Sequence, residues 1–319
     1  MLVFVCETVT GGGLAGNPLP PSLLAEATLM RDALIGDLED LPGVRVITTH
    51  DSRLPPPPRG ESVPVDGSDG AKPLWAELAA KAHCCWPIAP ETGGELADLA
   101  ALMAANGSRV IASDLATLNL CASKRATAQA LGEAGIATVP TWAADAVPAG
   151  ASGPFVVKPD DGAGSLDTRL VEPLPAELPH GVVVQPFRHG RPASLVMLCQ
   201  SGRAHVLAAS LQHMEVIDDR FVFRGVTVGG LPIEPDWRVL AERLLEALPG
   251  LHGLIGVDFL ATADGAVVLE INPRLTTSYA GLRASLGINP LAFVAELIRD
   301  GTVPDIPHLP LPVPVEVWL

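Results

Sequence analysis

The chain has 319 residues and a formal net charge of −15 at neutral pH; the length allows two or three domains with sizeable cores, and the charge excludes nucleic acid as a partner, since phosphates would be repelled. Five cysteines are scattered, with Cys84 and Cys85 adjacent and no CxxC pair, which fits reduced thiols in a cytoplasm rather than a disulfide framework or a zinc site. No run approaches the roughly 18 apolar residues of a membrane span, and the start MLVFVCETVT lacks the basic segment of a secretory leader.

Residues 2–6 read as a buried strand running into a loop too rich in glycine to be regular. Thr10, Gly11, Gly12 and Gly13 lie where the first strand of an open α/β sheet ends, the place where such folds bind ligands, so they are candidate substrate contacts; a flexible turn is the plain alternative. The spacing is neither GxGxxG nor a Walker loop. Apolar residues at 23, 24, 27, 30, 34 and 38 predict a helix over 22–41 capped by Ser22, and 44–48 reads as the second strand. Prolines at 55–58 break all regularity, and a surface loop is expected to residue 70. A helix over 75–82, a strand over 85–89, a helix over 97–105 and a strand over 109–112 complete a parallel sheet covered on both faces. Glu91, just past the third strand, is either a solvated loop acid or a cleft residue.

Asp114 is expected to cap one helix continuing to about residue 134 that carries Lys124 and Arg125. The strand at 155–159 is apolar except for Lys158, and Gly162, Gly164 and Ser165 follow in a turn. A lone lysine in an apolar strand is costly unless an anion pairs with it, and a glycine turn offers bare amides to the same anion, so the two read as a phosphate clamp; a solubilising lysine on an edge strand is the bland reading. Strands at 182–185, 194–199, 204–211 and 221–228 predict an antiparallel sheet, followed by a helix over 236–248.

The residues from 253 to 279 carry the most chemistry. Asp264-Gly265 between alternating apolar runs predicts a hairpin. A three-residue loop pairs Thr262 with Ala266 and sets Asp258 opposite Glu270. Alternation then places Val257, Phe259, Ala261, Val267, Leu269 and Ile271 on an apolar face, and Asp258, Glu270, Asn272 and Arg274 on the other. Facing carboxylates are tolerated when a cation lies between them, and an all-oxygen donor set selects magnesium or manganese over zinc; a solvated hairpin is the alternative. Residues 273–279 form a donor-rich turn, a last helix is expected over 291–300, and an edge strand over 315–318.

Lys124 on a linking helix, VVKPDDGAGS around Lys158, VVVQPF and LEINPR occur in an order that resembles the ATP-grasp superfamily of carboxylate-amine ligases over nearly the whole chain. The resemblance implies an α/β and α+β chain: an open parallel pre-ATP-grasp domain over 1–113, a small lobe over 114–190 and a large lobe over 191–319, the two lobes clamping ATP. It implies phosphate contacts from Lys124 and Lys158, an adenine hinge at Gln185, Pro186 and Phe187, magnesium or manganese on Asp258, Glu270 and Asn272, and Arg274 against an acyl phosphate. The family commonly carries an acid where Gln185 or Pro186 stands and another near Ala193, and here both are absent.

The VTGGGLAG loop, WPIAPETGGEL and INPRLTTSYAGLR resemble, more narrowly, the tyramine-glutamate ligases of methanofuran and methylofuran biosynthesis. That implies glutamate and an aromatic amine, tyramine or tyrosine, as small-molecule partners, with Thr276, Thr277 and Ser278 beside Arg274 receiving substrate carboxylate. Ligases for other amino-acid pairs and a non-catalytic ATP sensor are the rival readings, and a homodimer is allowed.

Overall fold

The computed structural model describes residues 1–67, 70–162, 167–298, 306 and 309–319. The chain starts with β1 (Leu2–Glu7), α1 (Pro21–Glu39), β2 (Arg45–Asp51), β3 (Glu61–Val65), α2 (Lys72–Lys81), β4 (Cys84–Ile88), α3 (Glu95–Ala105) and β5 (Arg109–Val110). These strands form a parallel sheet in the order β3-β2-β1-β4-β5. β3 lies inside the stretch expected as a surface loop: β2 would otherwise present an open ladder edge, and residues 61–65 pair with it from Ile47 to Asp51. α1 begins on Pro20 and Pro21, so Ser22 is not its cap.

Two helices, α4 (Leu115–Ala122) and α5 (Lys124–Glu133), stand where one was expected. Ser123 is extended between them, its Oγ accepting from Ala126 N at 3.1 Å and donating to Asp160 Oδ2 at 2.7 Å. A serine offered a capping site and a carboxylate competes well against one more helical turn.

The rest is one antiparallel-dominated sheet. Its short strands are β6 (Trp142–Ala143), β7 (Phe155–Pro159), β8 (Arg169–Val171) and β9 (Val182–Pro186). The long strands β10 (Arg191–Gln200), β11 (Arg203–Ile217) and β12 (Arg220–Leu231) lead into α6 (Pro235–Ala247). The hairpin β13 (Gly253–Thr262) and β14 (Gly265–Asn272), then α7 (Tyr279–Leu286) and β15 (Val315–Trp318) complete it. The order is β14-β13-β10-β11-β12-β8-β7-β9-β6, with β15 on β12. The last helix expected over 291–300 is instead two 3-10 turns, Pro290–Phe293 and Ala295–Leu297, with residues 299–300 outside the described set. Among the described residues no helix is long and apolar enough to cross a membrane.

One apolar core joins the layers: Leu34 and Leu38 of α1, Val3 and Val5 of β1, Val196 of β10, and Tyr279 and Leu282 of α7 pack together. Asp37 ties the joint, accepting from Tyr279 Oη at 2.6 Å and Arg283 Nη1 at 2.9 Å. A second core on the other face of the long strands sets Trp237 of α6 against Phe259, rings 5.0 Å apart. β13 lies inside the sheet between β14 and β10, with Phe259 packed in this second core.

Candidate functional site

Asp258 does face Glu270, but by a different route from the one expected. The loop has two residues, with Thr262 opposite Gly265, which alone would set Asp258 against Leu269. A bulge corrects it: Phe259 pairs with Val268 and Asp258 with Glu270, leaving Leu269 as the extra residue. The bulge also changes which apolar residues share a face. Val268 and Ile271 join Val257 and Phe259 in the core; Val267 and Leu269, expected there, pack with Leu260 and Val139 on the side that carries the acids. The acidic face therefore has an apolar floor.

Asp258 is held by two side-chain amides, Gln212 Nε2 at 2.8 Å on Oδ1 and Asn272 Nδ2 at 3.2 Å on Oδ2. Burial, with Glu270 beside it, pushes the Asp258 carboxyl up to about 7, against the pull of those two hydrogen bonds. Gln212 on β11 was missed: nothing in a lone glutamine on an alternating strand marks it, because its neighbour lies 46 residues away.

Lys158 sits in β7 opposite in direction to Val157, which fills a small core with Phe155 and Val184. It is 8% exposed, and desolvation draws its ammonium below the ordinary lysine range; Glu270 and Asp258 oppose that and Lys124 adds to it. Lys124, 6% exposed at the start of α5, reaches Glu270 Oε1 at 3.4 Å and also donates to the Gly162 carbonyl. Two buried cations and two half-buried carboxylates thus face each other, a set that leaves room for an anion and a cation together. Two carboxylates and an amide oxygen suit a divalent cation that completes its shell with phosphate and water oxygens.

These groups line a cleft of about 240 Å³. Gln185, Pro186 and Phe187 border it, with Val139, Val156, Leu260 and Leu269 as apolar lining. Gln185 donates from Nε2 to Thr141 Oγ1 at 2.9 Å, and Phe187 N is taken by Pro154 O at 2.9 Å, so the segment is braced before any ligand arrives. Gly162 lines the cleft; Gly164 and Ser165 lie outside the described residues.

Arg274, Thr276, Thr277 and Ser278 line the same cleft. Arg274 is gripped on two prongs by Glu91, 5% exposed: Nη2 donates to Oε2 at 2.9 Å, and Nε lies 2.9 Å from Oε1, off hydrogen-bond angle. Glu91 is thus a buried partner rather than a solvated loop acid. Glu26 of α1 also lines the cleft, accepting from Thr277 Oγ1 at 3.1 Å. Its helical stripe gave no sign of this, because Glu26 sits between apolar positions on a surface later covered by the turn after β14.

Thr10, Gly11, Gly12 and Gly13 are elsewhere. Glu7 ties the loop inward by accepting from Val9 N at 3.1 Å and from both Thr10 N and Thr10 Oγ1 at 2.6 Å. Thr49 Oγ1 donates to Gly11 O at 2.8 Å, and Trp75 Nε1 to Thr49 Oγ1 at 3.0 Å. A Cβ on Gly12, whose φ is +97°, would meet Val65 Cβ at 2.5 Å. Gly13 borders a separate cavity walled by Thr8, Trp75, Glu95 and Leu99.

Residues 121–278 match the ATP-grasp domain family, and residues 44–117 the pre ATP-grasp 3 domain family. A stretch of 45 residues is 40% identical to the tyramine–L-glutamate ligase of Methanocaldococcus jannaschii, spanning 14% of this chain and only 15% of that protein. In fold the chain is similar to a protein assigned to the ATP-grasp superfamily from Archaeoglobus fulgidus, at 20% identity and a TM-score of 0.69 over 90% of this chain and 85% of that one. It is also similar to the L-amino acid ligase of Bacillus licheniformis, at 16% identity and a TM-score of 0.64 over 95% and 77%. The pre ATP-grasp match lies ahead of the ATP-grasp match along one chain, and the chain belongs to the ATP-grasp superfamily, with a pre-ATP-grasp domain ahead of its ATP-grasp domain.

Proposed function

We propose that this protein is an ATP-dependent carbon-nitrogen ligase that joins the γ-carboxylate of glutamate to a phenolic amine, tyramine or tyrosine, through an acyl phosphate, in building a methanofuran-type one-carbon cofactor. The observation that carries the ligase reading is the meeting of Lys124 and Lys158 with the opposed Asp258–Glu270 pair in one cleft that also holds Arg274. A nucleotide sensor needs the hinge; a phosphoryl-transfer site needs the charges as well. The choice of substrates is supported by the 45-residue match to the tyramine–L-glutamate ligase and by an L-amino acid ligase among the similar folds.

Carboxylate and amine do not condense in water, and phosphorylation of the carboxylate supplies the driving force. Asp258, Glu270 and Asn272 would hold magnesium or manganese, which when bound neutralises phosphate charge during the transfer. Lys158 and Lys124 place positive charge against the same phosphates without the cost of reorganising water, since both are already desolvated. Gln185, Pro186 and Phe187 seat the adenine edge. Arg274 presents a planar fork to the carboxylate or acyl phosphate, with Glu91 fixing its plane. Met214, Phe221 and Phe223 give another wall of the cleft the apolar character that a phenolic ring would use.

The test is a product assay with ATP, magnesium, glutamate and tyramine, read by mass spectrometry. An amide at the γ-carboxyl, formed with ADP and phosphate, is the expected product. A peptide bond at the α-carboxyl, or reaction only with other amino-acid pairs, would replace these substrates while keeping the ligase chemistry.

A further inference from the structure

The amine that completes such a reaction reaches the enzyme protonated, and an ammonium has no lone pair with which to attack. A group in the cleft must receive it and accept a proton. Among the described residues the acids lining the cleft are Glu26, Asp258 and Glu270. The last two are the opposed pair facing the lysines. Glu91 is committed to Arg274, and Glu7 is buried in its own turn with three donors upon it. Glu26 stands apart. It enters from α1, across the cleft wall from the metal hairpin's own strands, and Thr277 Oγ1 fixes one of its oxygens at 3.1 Å. The other oxygen has no hydrogen-bond partner among the described residues and is the one left for a ligand.

The environment favours proton acceptance. Burial raises the Glu26 carboxyl above the ordinary glutamate range, more than the Thr277 hydrogen bond and the Arg274 charge pull it down. A carboxylate so placed is a stronger base than one in water, and it lies beside Arg274, Thr276 and Ser278, where the activated carboxyl would be held.

We propose that Glu26 is the catalytic base for the amine: its carboxylate receives the incoming ammonium and removes one proton before the amine attacks the acyl phosphate. The balance closes without a further reactant. R–NH3⁺ and Glu26–COO⁻ become R–NH2 and Glu26–COOH; the nitrogen lone pair forms the C–N bond, the C–O bond to phosphate breaks, and the second amine proton leaves with the phosphate as HPO4²⁻. Glu26 returns its proton to water. Thr277 acts as a positioning residue, since its hydroxyl turns the carboxylate toward the cleft.

This proposal rests on the ligase reading, and hydroxylamine separates the two. It is uncharged at neutral pH, needs no base, and traps an acyl phosphate as a hydroxamate. In the parental protein with ATP, magnesium and glutamate, hydroxamate should form; its absence there overturns the activation of glutamate on which the proposal rests. In Glu26→Gln the amide with tyramine should fall about a hundredfold, and the ratio of amide rate to hydroxamate rate should fall at least about thirtyfold, the hydroxamate also reporting that the variant is folded. Equal losses in the two products would overturn the role of Glu26 as base and make it a residue of the phosphoryl-transfer half.

Discussion

The glycine loop at 10–13 and the β13–β14 hairpin look equally functional as strings of residues, one poor in side chains at a strand end, the other with acids in a row. In the fold they have opposite fates. The loop's backbone groups are spent on its own protein, on Glu7, Thr49 and, through the Gly11 carbonyl, Trp75, whereas the hairpin leaves two carboxylates facing each other with side-chain amides and lysines nearby. The glycines are there because nothing larger fits; the acids are there although they repel. A residue type that costs stability where it stands is better evidence of function than one that merely permits a turn.

The sharpest way to break this contrast is to neutralise the hairpin. Asp258→Asn and Glu270→Gln should each lower ATP turnover at least about a hundredfold; thermal melting of ligand-free Asp258→Asn should hold or rise, because like charges no longer face each other, whereas Glu270→Gln, which strips buried Lys124 of its carboxylate, should melt lower. Parental turnover in a folded variant would end the metal assignment. The loop should respond the other way. Gly12→Ala forces a left-handed backbone on alanine and presses it into Val65, so stability should fall by about 2–3 kcal/mol, measured by denaturant melts, with turnover per folded molecule kept within about twofold; a stable but inactive variant would return the loop to the site.

Acid pH probes the same carboxylates more gently. Asp258 titrates near 7 in the folded protein and near 4 when unfolded, so between those values the folded state binds the extra proton. Stability of the metal-free protein therefore declines as pH rises through that window. Magnesium must displace the proton, so its affinity should drop by up to about tenfold per pH unit below about 7. Calorimetric titration checks this, and an affinity flat from about pH 8 to about pH 6 would refute it. The smallest effect belongs to Gln212→Ala, which removes one hydrogen bond from Asp258. A loss of about 1 kcal/mol, roughly fivefold in magnesium affinity, is expected, with the melting temperature little moved; an unchanged affinity would mean that Asn272 alone orients the carboxylate.

The sequence by itself determined what depends on neighbours in the chain. The alternation around Lys158 and the period-two pattern of residues 253–272 made the strands legible, and the facing of Asp258 and Glu270 followed from hairpin register. Even there two features offset each other: the loop has two residues where spacing predicts three, and a bulge at Leu269 restores the register, so the acids pair as expected while Val267 and Leu269 turn to the other face. A bulge saves its hydrogen-bond geometry through tertiary packing and leaves no mark in residue spacing.

Tertiary structure alone decided the remainder. The β3 strand forms because β2 offers it an edge, and the helix break at Ser123 is fixed by Asp160, 37 residues on. Glu91 meets Arg274 across 183 residues, and Glu26 meets Thr277 across 251. Such pairs carry no local signal, because a side-chain hydrogen bond constrains distance in space and nothing in the order of the chain; only the packing of α1 against α7 and of one sheet against the other brings them within 3 Å or so of each other.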